Sequence, residues 1–421
     1  MKNETYQTDI GRIPVGWVPY RVGELVSFSG GSQPDKSTFK FRPSKGYIRL
    51  IQIRDYKTDK YETYIPEVLA RKTCGEHDVM IGRYGPPIFQ ILRGIKGAYN
   101  VALIKAIPSD KVDAEFFYHF IRNENLYGLM ESLSRRSSGQ TGVELSALRE
   151  YPLPLPKKKE QIAIANALSD VDALIASLES LITKKRAIKT AAMQQLLTGK
   201  KRLPPFDKTQ NGYKQTELGE IPEDWEIRHL GGIGAFTKGA GVKKDESNSG
   251  YIPCVRYGEI YTRHSDYIKR FNSYISKTVS LTATRLSKGD LLFAGSGETK
   301  EEIGKCVAFV DEVEAYAGGD IVILRPQWGD SLFLGYCLNS DYVVKQKSSK
   351  GQGDAVVHIS ANALKSVQVI MPSSEVEQQS IATVLFDMDK DIELLDRRLN
   401  KTQKLKQGMM QELLTGRTRL V

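Results

Sequence analysis

The chain has 421 residues, enough for two or three domains that each bury a core of their own. Its 60 Lys and Arg residues outnumber its 50 Asp and Glu residues, which permits nucleic acid as a partner without requiring it. The four cysteines are too irregularly spaced for a disulfide framework, and no run approaches the roughly 18 apolar residues of a membrane span. We therefore expect a soluble, cytoplasmic protein without a signal peptide and without a membrane partner.

The globular parts of the sequence repeat in the same order. The segment Ile10 to Trp17, IGRIPVGW, returns as LGEIPEDW from Leu218 to Trp225. Fainter echoes pair GYIRLIQIRD from Gly46 with GYIPCVRYGE from Gly250, DVMIGRYG from Asp78 with DLLFAGSG from Asp290, and FFYHFIRN from Phe116 with LFLGYCLN from Leu332. Apolar alternation, short helical stretches and Gly-containing turns predict mixed α and β structure in both copies.

Each globular region is followed by a long predicted helix. Residues 160–203 return at 377–420, where MQQLLTGKKRL matches MQELLTGRTRL. Apolar residues recur at alternating steps of four and three, the heptad spacing of coiled coils. The predicted seam consists of Ile164, Leu168, Val171, Ile175, Leu178, Ile182, Ile381, Leu385, Met388, Ile392, Leu395 and Leu399. Both helices are predicted to stop at a Thr-Gly pair, Thr198-Gly199 and Thr415-Gly416, where glycine can adopt a left-handed cap.

These patterns predict an α+β protein with a pseudo-two-fold internal repeat. The predicted domains are a first globular region at 1–156, a helical spacer at 157–203, a second globular region at 204–372 and a second spacer at 373–421. One possible arrangement is that each helix packs only against its own globular region. Because the two copies carry matching seams, we expect instead an antiparallel coiled coil with one globular region at each end.

Motifs for a DNA methyltransferase are missing. Such an enzyme needs a glycine-rich cofactor loop and an Asn/Asp-Pro-Pro-aromatic loop. The closest match to the second is LPPF at Leu203–Phe206, whose leucine cannot bond a base and which is predicted to be a rigid turn. The segment Gly295–Gly297 lacks the remaining glycine of a dinucleotide loop and is predicted to be a hairpin turn.

Motifs for a nuclease or a metal site are also weak. Asp290 with Glu298 and Lys300 resembles a metal-dependent nuclease core, but the first copy has no matching acid-x-Lys. Cys74 and His77 have C-x-x-H spacing without a second pair, which makes zinc improbable. We predict no catalytic residue and no metal site in this chain.

Candidate DNA contacts are loops in which cations meet Gly, Gln or Tyr, because phosphates attract cations while Arg and Gln read guanine and adenine. Residues 13–156 carry 20 basic and 15 acidic side chains, residues 157–203 carry 10 and 4, and residues 204–372 carry 20 and 21. In the first region the candidates are Arg83, Tyr84, Arg93, Lys96, Arg135, Arg136, Gln140 and Thr141. In the second they are Lys238, Lys243, Lys244, Arg256, Arg263, His264, Lys300, Lys350 and Gln352.

The order of these motifs resembles the specificity subunit of Type I restriction-modification enzymes over nearly the whole chain. That family alternates two variable target-recognition domains with two similar helical regions, which open on Glu-Gln-x-x-Ile-Ala and close on Leu-Leu-Thr-Gly. The openings here are Glu160–Ala165 and Glu377–Ala382, and the closings are Leu196–Gly199 and Leu413–Gly416. Pro-x-x-Trp begins each recognition domain, at Pro14–Trp17 and Pro222–Trp225.

The resemblance implies a non-catalytic subunit that reads one half of a split double-stranded DNA sequence with each recognition domain. It also implies two modification subunits as partners, which bind S-adenosylmethionine and methylate adenine, and ATP-driven restriction subunits, so that this chain itself binds no cofactor. Alternatives are the specificity subunit of a Type II-like or stand-alone methylation system, a self-contained methyltransferase or nuclease, and a coiled-coil adaptor that does not bind DNA.

Overall fold

The computed structural model describes residues 4–136, 142–208, 212–243, 245–300, 302–353 and 357–420. The chain divides into two compact units: unit 1 comprises Met1–Glu179 with Arg397–Val421, and unit 2 comprises Ser180–Asp396. The domain boundaries given above remain predictions. Both units mix strands and helices, as the sequence pattern predicted.

The elements of the first repeat precede residue 197. The strands are β1 (Thr5–Thr8), β2 (Gly11–Pro14), β3 (Val18–Arg21), β4 (Val26–Gly30), β5 (Tyr47–Ile51), β6 (Tyr64–Pro66), β7 (Thr73–Cys74), β8 (Val79–Gly82), β9 (Gln90–Leu92), β10 (Gly97–Tyr99), β11 (Leu103–Pro108) and β12 (Pro152–Leu155). The helices are α1 (Val22–Leu25), α2 (Ala114–Phe120), α3 (Glu124–Arg136), α4 (Leu145–Glu150) and α5 (Lys158–Leu196).

The elements of the second repeat follow in the same order. The strands are β13 (Tyr213–Thr216), β14 (Gly219–Pro222), β15 (Trp225–His229), β16 (Gly234–Lys238), β17 (Ile252–Val255), β18 (Ser273–Ile275), β19 (Thr284–Arg285), β20 (Leu291–Ala294), β21 (Ser296–Gly297), β22 (Cys306–Ala308), β23 (Tyr316–Ala317), β24 (Ile321–Pro326), β25 (Val357–His358) and β26 (Gln368–Pro372). The helices are α6 (Leu230–Ile233), α7 (Tyr257–Thr262), α8 (Lys277–Ser280), α9 (Ser331–Cys337), α10 (Asp341–Lys350), α11 (Ala361–Lys365) and α12 (Glu375–Leu413).

The sheets of the two repeats share one topology. The first repeat has an antiparallel sheet of order β4-β11-β8-β9 and a second sheet of order β6-β5-β10-β7, in which β5 and β10 run parallel. The second repeat has the corresponding orders β16-β24-β20-β22 and β18-β17-β23-β19, in which β17 and β23 run parallel. Each repeat also pairs the strand after its opening tryptophan region with its last strand, β3 with β12 and β15 with β26. The predicted duplication is therefore present in the fold.

Two local predictions are corrected by the structure. Gly295–Gly297 is not a hairpin turn, because Ser296 and Gly297 form strand β21, which pairs with the distant strand β25. The echo between Phe116 and Leu332 is off by one residue: Asp113 caps α2 and Asp330 caps α9, and this correspondence aligns His119 with Tyr336. The turn predicted at Leu203–Phe206 is present, with the Phe206 amide donating to the Leu203 carbonyl at 2.8 Å.

The long helices end where the sequence predicted. Gly199 and Gly416 have φ values of +70° and +68°, the left-handed conformation that L side chains rarely adopt. A Cβ at Gly199 would lie 2.5 Å from Pro222 Cδ, and one at Gly416 would lie 2.3 Å from Pro14 Cγ. Each glycine therefore terminates a helix and also allows the chain after it to approach the opening segment of a repeat.

Helix α5 contains a stretch that is long and apolar enough to cross a membrane by length and composition alone. The core helix of a soluble protein passes the same test, so this criterion is weak evidence for a membrane span. Ile164 and Leu168 on this helix are fully buried in the core of unit 1 beside Phe116 and Phe117, where they pack against protein.

Candidate nucleic-acid interface

The start of α5 holds the tail of α12 in unit 1. The buried Glu160 carboxylate accepts two hydrogen bonds from the Arg419 guanidinium, one of them at 2.8 Å, and a third from Trp17 Nε1 at 3.1 Å. The neighbouring Gln161 accepts from the Asp113 backbone N–H at 2.7 Å, which fixes α2 on the same helix. The Glu-Gln opening thus orients both the tail and the globular region.

The start of α12 repeats this arrangement in unit 2. The buried Glu377 carboxylate accepts from Arg202 Nε at 2.8 Å and Nη2 at 2.7 Å, and Arg202 also donates to Asp224. These hydrogen bonds raise the pKa of Arg202 further above its usual range. Gln378 accepts from the Asp330 backbone N–H at 2.8 Å, as Gln161 does from Asp113. We name Glu160–Arg419 and Glu377–Arg202 the outer pairs.

A second pair joins the two long helices within each unit. In unit 1, Lys406 on α12 contacts Asp172 on α5 at 2.5 Å, and Arg122 also reaches Asp172 at 3.3 Å. In unit 2, Lys189 on α5 contacts Asp389 on α12 at 2.8 Å. We name Asp172–Lys406 and Asp389–Lys189 the inner pairs. Both run between helices of opposite direction, because the early part of one helix meets the late part of the other.

All twelve predicted seam residues are buried or half-buried. Ile164 and Leu168 lie in the core cluster of unit 1 with Leu413 and Leu414, whereas Ile381 and Leu385 lie in the core cluster of unit 2 with Leu196 and Leu197. The seam side chains thus face protein in both units. A mutual seam along the full length of the helices stays a prediction.

In unit 1 the structure joins two of the predicted DNA-contact segments. Arg83 is exposed just after β8, with its guanidinium 5.3 Å from the ring centre of Tyr84. Tyr84 forms a β-bridge with Gly142, and the Val143 N–H donates to the Arg83 carbonyl at 3.0 Å. The loop after β8 is therefore attached to the segment that follows α3.

In unit 2 the equivalent loops are joined in the same way. Strand β21, just after β20, pairs with β25, which follows α10. Ser348 Oγ donates to the Lys300 carbonyl at 2.7 Å, and Gln352 forms a β-bridge with His358. Lys300 and Gln352 are exposed, and Lys350 is half-buried at the end of α10. Candidates that lie 50 residues apart in sequence thus occupy one surface.

Other candidates of the first region lie apart from that surface. The Arg93 guanidinium donates to both Glu115 carboxylate oxygens at 2.8 Å and lies 4.2 Å from the ring centre of Tyr118. This bond holds the pKa of Glu115 below its usual range. Arg93 is therefore engaged inside the protein, whereas Lys96 is exposed and 3.9 Å from Glu76. The Arg135 and Arg136 side chains, Gln140 and Thr141 lie outside the described residues.

In the second region, Lys238, Lys243 and Arg263 are exposed, and Arg256 is half-buried at the N-terminus of α7. His264 is buried, with only 4% of its surface exposed, and burial lowers the pKa of its ring to about 4. A neutral buried ring presents no surface to DNA, so we do not carry His264 into the proposed interface. Lys244 lies outside the described residues.

The sequence analysis missed two contacts between exposed cations and tyrosine rings in unit 1. Lys40 Nζ lies 4.0 Å from the ring centre of Tyr47, and the Arg54 guanidinium lies 5.6 Å from that of Tyr61. Phe41, which follows Lys40 in the sequence, is 73% exposed. A signal was present, since KFRPSKGY places three cations around one exposed aromatic residue. Such sites suit contacts with phosphates and bases.

Within the residues that the structure describes, no group of three or more His, Cys, Asp or Glu side chains could hold a metal ion. The acid considered for a nuclease site, Asp290, is buried and accepts two hydrogen bonds from Arg325 at 2.9 Å. Its Oδ2 also accepts from the Ser287 N–H. Asp290 is thus fully engaged in stabilising the loop before β20.

The sequence matches the family described as the Type I restriction modification DNA specificity domain twice, over residues 14–188 and 222–404. The chain belongs to this family. Its two matches coincide with the two structural repeats, each consisting of a globular region and the greater part of the helix that follows.

Characterised relatives and solved structures agree with this assignment. The Type I restriction enzyme MjaVIII specificity subunit of Methanocaldococcus jannaschii is 25% identical over 436 residues, covering 100% of this chain and 97% of the relative. The putative MjaX specificity subunit of the same organism is also 25% identical, with coverage of 100% and 98%. The S subunit of a Type I restriction-modification system from M. genitalium aligns with a TM-score of 0.60 and 16% identity, covering 98% of this chain and 99% of that one. A structure of the type I R-M system described for its complex assembly and conformational transition aligns at 0.53, with 16% identity and coverage of 96% and 99%.

Proposed function

We propose that this specificity subunit reads a bipartite double-stranded DNA target, with one half-site for each globular region, and that the paired long helices set the gap between the half-sites. The observation that carries the proposal is one fold present twice, with the same strand orders in both repeats and a 39-residue helix at the end of each. The globular sequences differ between the repeats, which suits two readers of unlike half-sites.

The exposed residues on the joined loops are the proposed contacts. Arg83 and Tyr84 lie on the loop after β8 in unit 1, and Lys300, Lys350 and Gln352 lie on the segments around β21 and β25, which follow the equivalent strand β20 in unit 2. Arginine and glutamine supply the bidentate pairings for guanine and adenine, and lysine supplies phosphate contacts. Lys40 and Arg54, which are exposed and lie against tyrosine rings, are further proposed contacts in unit 1.

The chain is proposed to have no catalytic site and no cofactor of its own and to work in the cytoplasm. It is proposed to bind two modification subunits and, through them, restriction subunits. S-adenosylmethionine and ATP then belong to those partners. Incubating the purified chain with DNA and labelled S-adenosylmethionine should transfer no label, whereas adding the modification subunits should restore transfer. Label transfer by the chain alone would identify a self-contained methyltransferase.

Domain exchange tests the reading of half-sites. Replacing residues 13–156 with the equivalent region of another specificity subunit should change one half of the methylated sequence and leave the other half intact. Methylation mapping of genomic DNA reads the result. An unaltered target, or a change in both halves, contradicts one reader per half-site.

Helix insertion tests the setting of the gap. Adding seven residues to each long helix keeps the heptad phase and lengthens the helices by about 10 Å, which corresponds to about three base pairs. The same methylation map should show the original half-sites at a wider gap. An unchanged gap contradicts the proposed role of the helices.

A further inference from the structure

The inner pairs occupy matching positions in the two units. Asp172 follows Glu160 by twelve residues on α5, and Asp389 follows Glu377 by twelve on α12. Their partners match as well, since Lys406 precedes Arg419 by thirteen residues and Lys189 precedes Arg202 by thirteen. One antiparallel register of the two helices therefore satisfies both inner pairs and both outer pairs.

Three of the four side chains in the inner pairs are largely removed from solvent. Lys406 is 9% exposed, Asp389 is 8% exposed and the Lys189 side chain is 13% exposed, whereas the Asp172 side chain is 31% exposed. Asp389 also accepts from Tyr336 OH at 2.7 Å, and Lys189 also donates to Asp266 at 3.1 Å. Two further ion pairs join the helices in unit 2, Lys185–Asp391 and Arg186–Asp396, and their side chains are 37% to 62% exposed.

An apolar seam alone specifies register poorly. Its residues recur every seven positions, so a shift of one helix by seven residues again places apolar side chains opposite apolar side chains. A shift of that size would separate Lys406 from Asp172 and Lys189 from Asp389. Because an unpaired buried charge is strongly unfavourable, such pairs can select one register even where they add little net stability.

We propose that the inner pairs Asp172–Lys406 and Asp389–Lys189 determine the gap length of the DNA target by fixing the register of the two long helices. This inference rests on the proposed function, in which the helices set the gap. It assigns that property to four side chains of the long helices that act by holding the helices in place, and it therefore makes them positioning residues.

The covalent connections convert register into separation. Only two residues lie between β12, which ends at Leu155, and α5, which begins at Lys158; two also lie between β26, which ends at Pro372, and α12, which begins at Glu375. Each globular region is thus tied closely to the helix that follows it. Sliding one helix along the other by a heptad would displace the regions by about 10 Å, or about three base pairs.

The test compares gap selectivity in the complete methylation complex. The substitutions Asp172→Leu, Lys406→Met, Asp389→Leu and Lys189→Met remove both inner pairs and keep the sites apolar. Methylation of duplexes that carry the native half-sites at gaps from four base pairs shorter to four longer is then measured. We expect the roughly tenfold or greater preference of the natural chain for one gap to fall below about threefold, with the half-sites unchanged.

Matched variants control for charge removal on the same helices. Lys185→Gln with Arg186→Gln removes the exposed pairs and should keep a single gap, as should Lys189→Arg with Lys406→Arg, which retains both inner pairs. Undiminished gap preference in the folded apolar variant overturns the proposal. If the complete complex with the natural chain methylated no two-part sequence, the proposed function itself would be refuted.

A second measurement needs neither DNA nor partners. Ala176 and Gln403 are exposed one turn beyond Asp172 and Lys406 in unit 1, and the four native cysteines are buried. Spin labels on Ala176→Cys and Gln403→Cys report the distance between the two helices by pulsed electron resonance. Asp172→Leu with Lys406→Met should turn one narrow distance distribution into a broad or double one, and a single unchanged distance contradicts register selection by this pair.

Discussion

Arg202→Met tests how strongly an outer pair stabilises unit 2. The substitution leaves the Glu377 carboxylate, which is 1% exposed, without the guanidinium that donates to both of its oxygens. Removing one partner of a buried ion pair costs about 3–5 kcal/mol. The other partner of Arg202, Asp224, has a side chain that is 34% exposed and can turn to water, so its contribution is small.

Without Arg202, neither oxygen of the buried Glu377 carboxylate keeps its guanidinium donor, and the free energy of unfolding should fall by about 3–5 kcal/mol at pH 7.

Urea unfolding measures this loss. Fluorescence of Trp225 and Trp328 in a Trp17→Phe background reports unit 2, and Glu377→Gln added to the variant should recover most of the stability at pH 7. Lys288→Met, which removes the exposed pair with Glu312, should leave the free energy of unfolding unchanged. A loss below about 1 kcal/mol at pH 7 would refute the reasoning.

Three further predictions concern other features of the chain. Burial lowers the pKa of His264 to about 4. Below about pH 6.5 the unfolded chain therefore takes up a proton at this residue before the folded chain does, and the free energy of unfolding falls from pH 7 to pH 5. His264→Leu should make this fall about 2 kcal/mol smaller, and an unchanged fall contradicts the prediction. Gly416→Ala should lower the free energy of unfolding by at least about 2 kcal/mol in thermal unfolding, because its Cβ would meet Pro14. The control Gly408→Ala places its Cβ in open space and should leave that free energy unchanged or raise it by up to about 1 kcal/mol. Lys300→Ala should weaken DNA binding of the complex and lower the slope of log affinity against log salt by about one, and a bandshift series with unchanged slope would exclude a phosphate contact.

The helical frame was accessible from sequence because its signals are local and repeated. The four-three spacing of apolar residues identified both long helices, and the Thr-Gly pairs located their ends within a few residues. The glycines adopt left-handed backbone as expected, since that conformation depends on a single residue. In the globular part, the sequence repeat was aligned with an error of one residue. Phe116 was matched with Leu332, although the corresponding helix caps are Asp113 and Asp330.

The polar contacts of the frame were not accessible, because each joins residues far apart in the chain. Arg419 and Glu160 are separated by 259 positions, and Arg202 and Glu377 by 175. The recurrence of Glu and Arg at one constant offset was a visible signal, but only the antiparallel pairing makes them partners. Surface loops are also positioned by contacts between distant residues, such as the β-bridge of Tyr84 with Gly142, which the sequence pattern does not indicate. The candidate DNA contacts stay predictions.

The placement of the tail has a consequence for biosynthesis. Leu413 and Leu414 belong to the core of unit 1, and Arg419 completes the hydrogen bonds of Glu160, yet these residues leave the ribosome after all of unit 2. Domains generally fold in the order of their synthesis. The sequence of unit 2 is therefore complete before that of unit 1, and the core of unit 1 can close only after residues 413–419 have been synthesised.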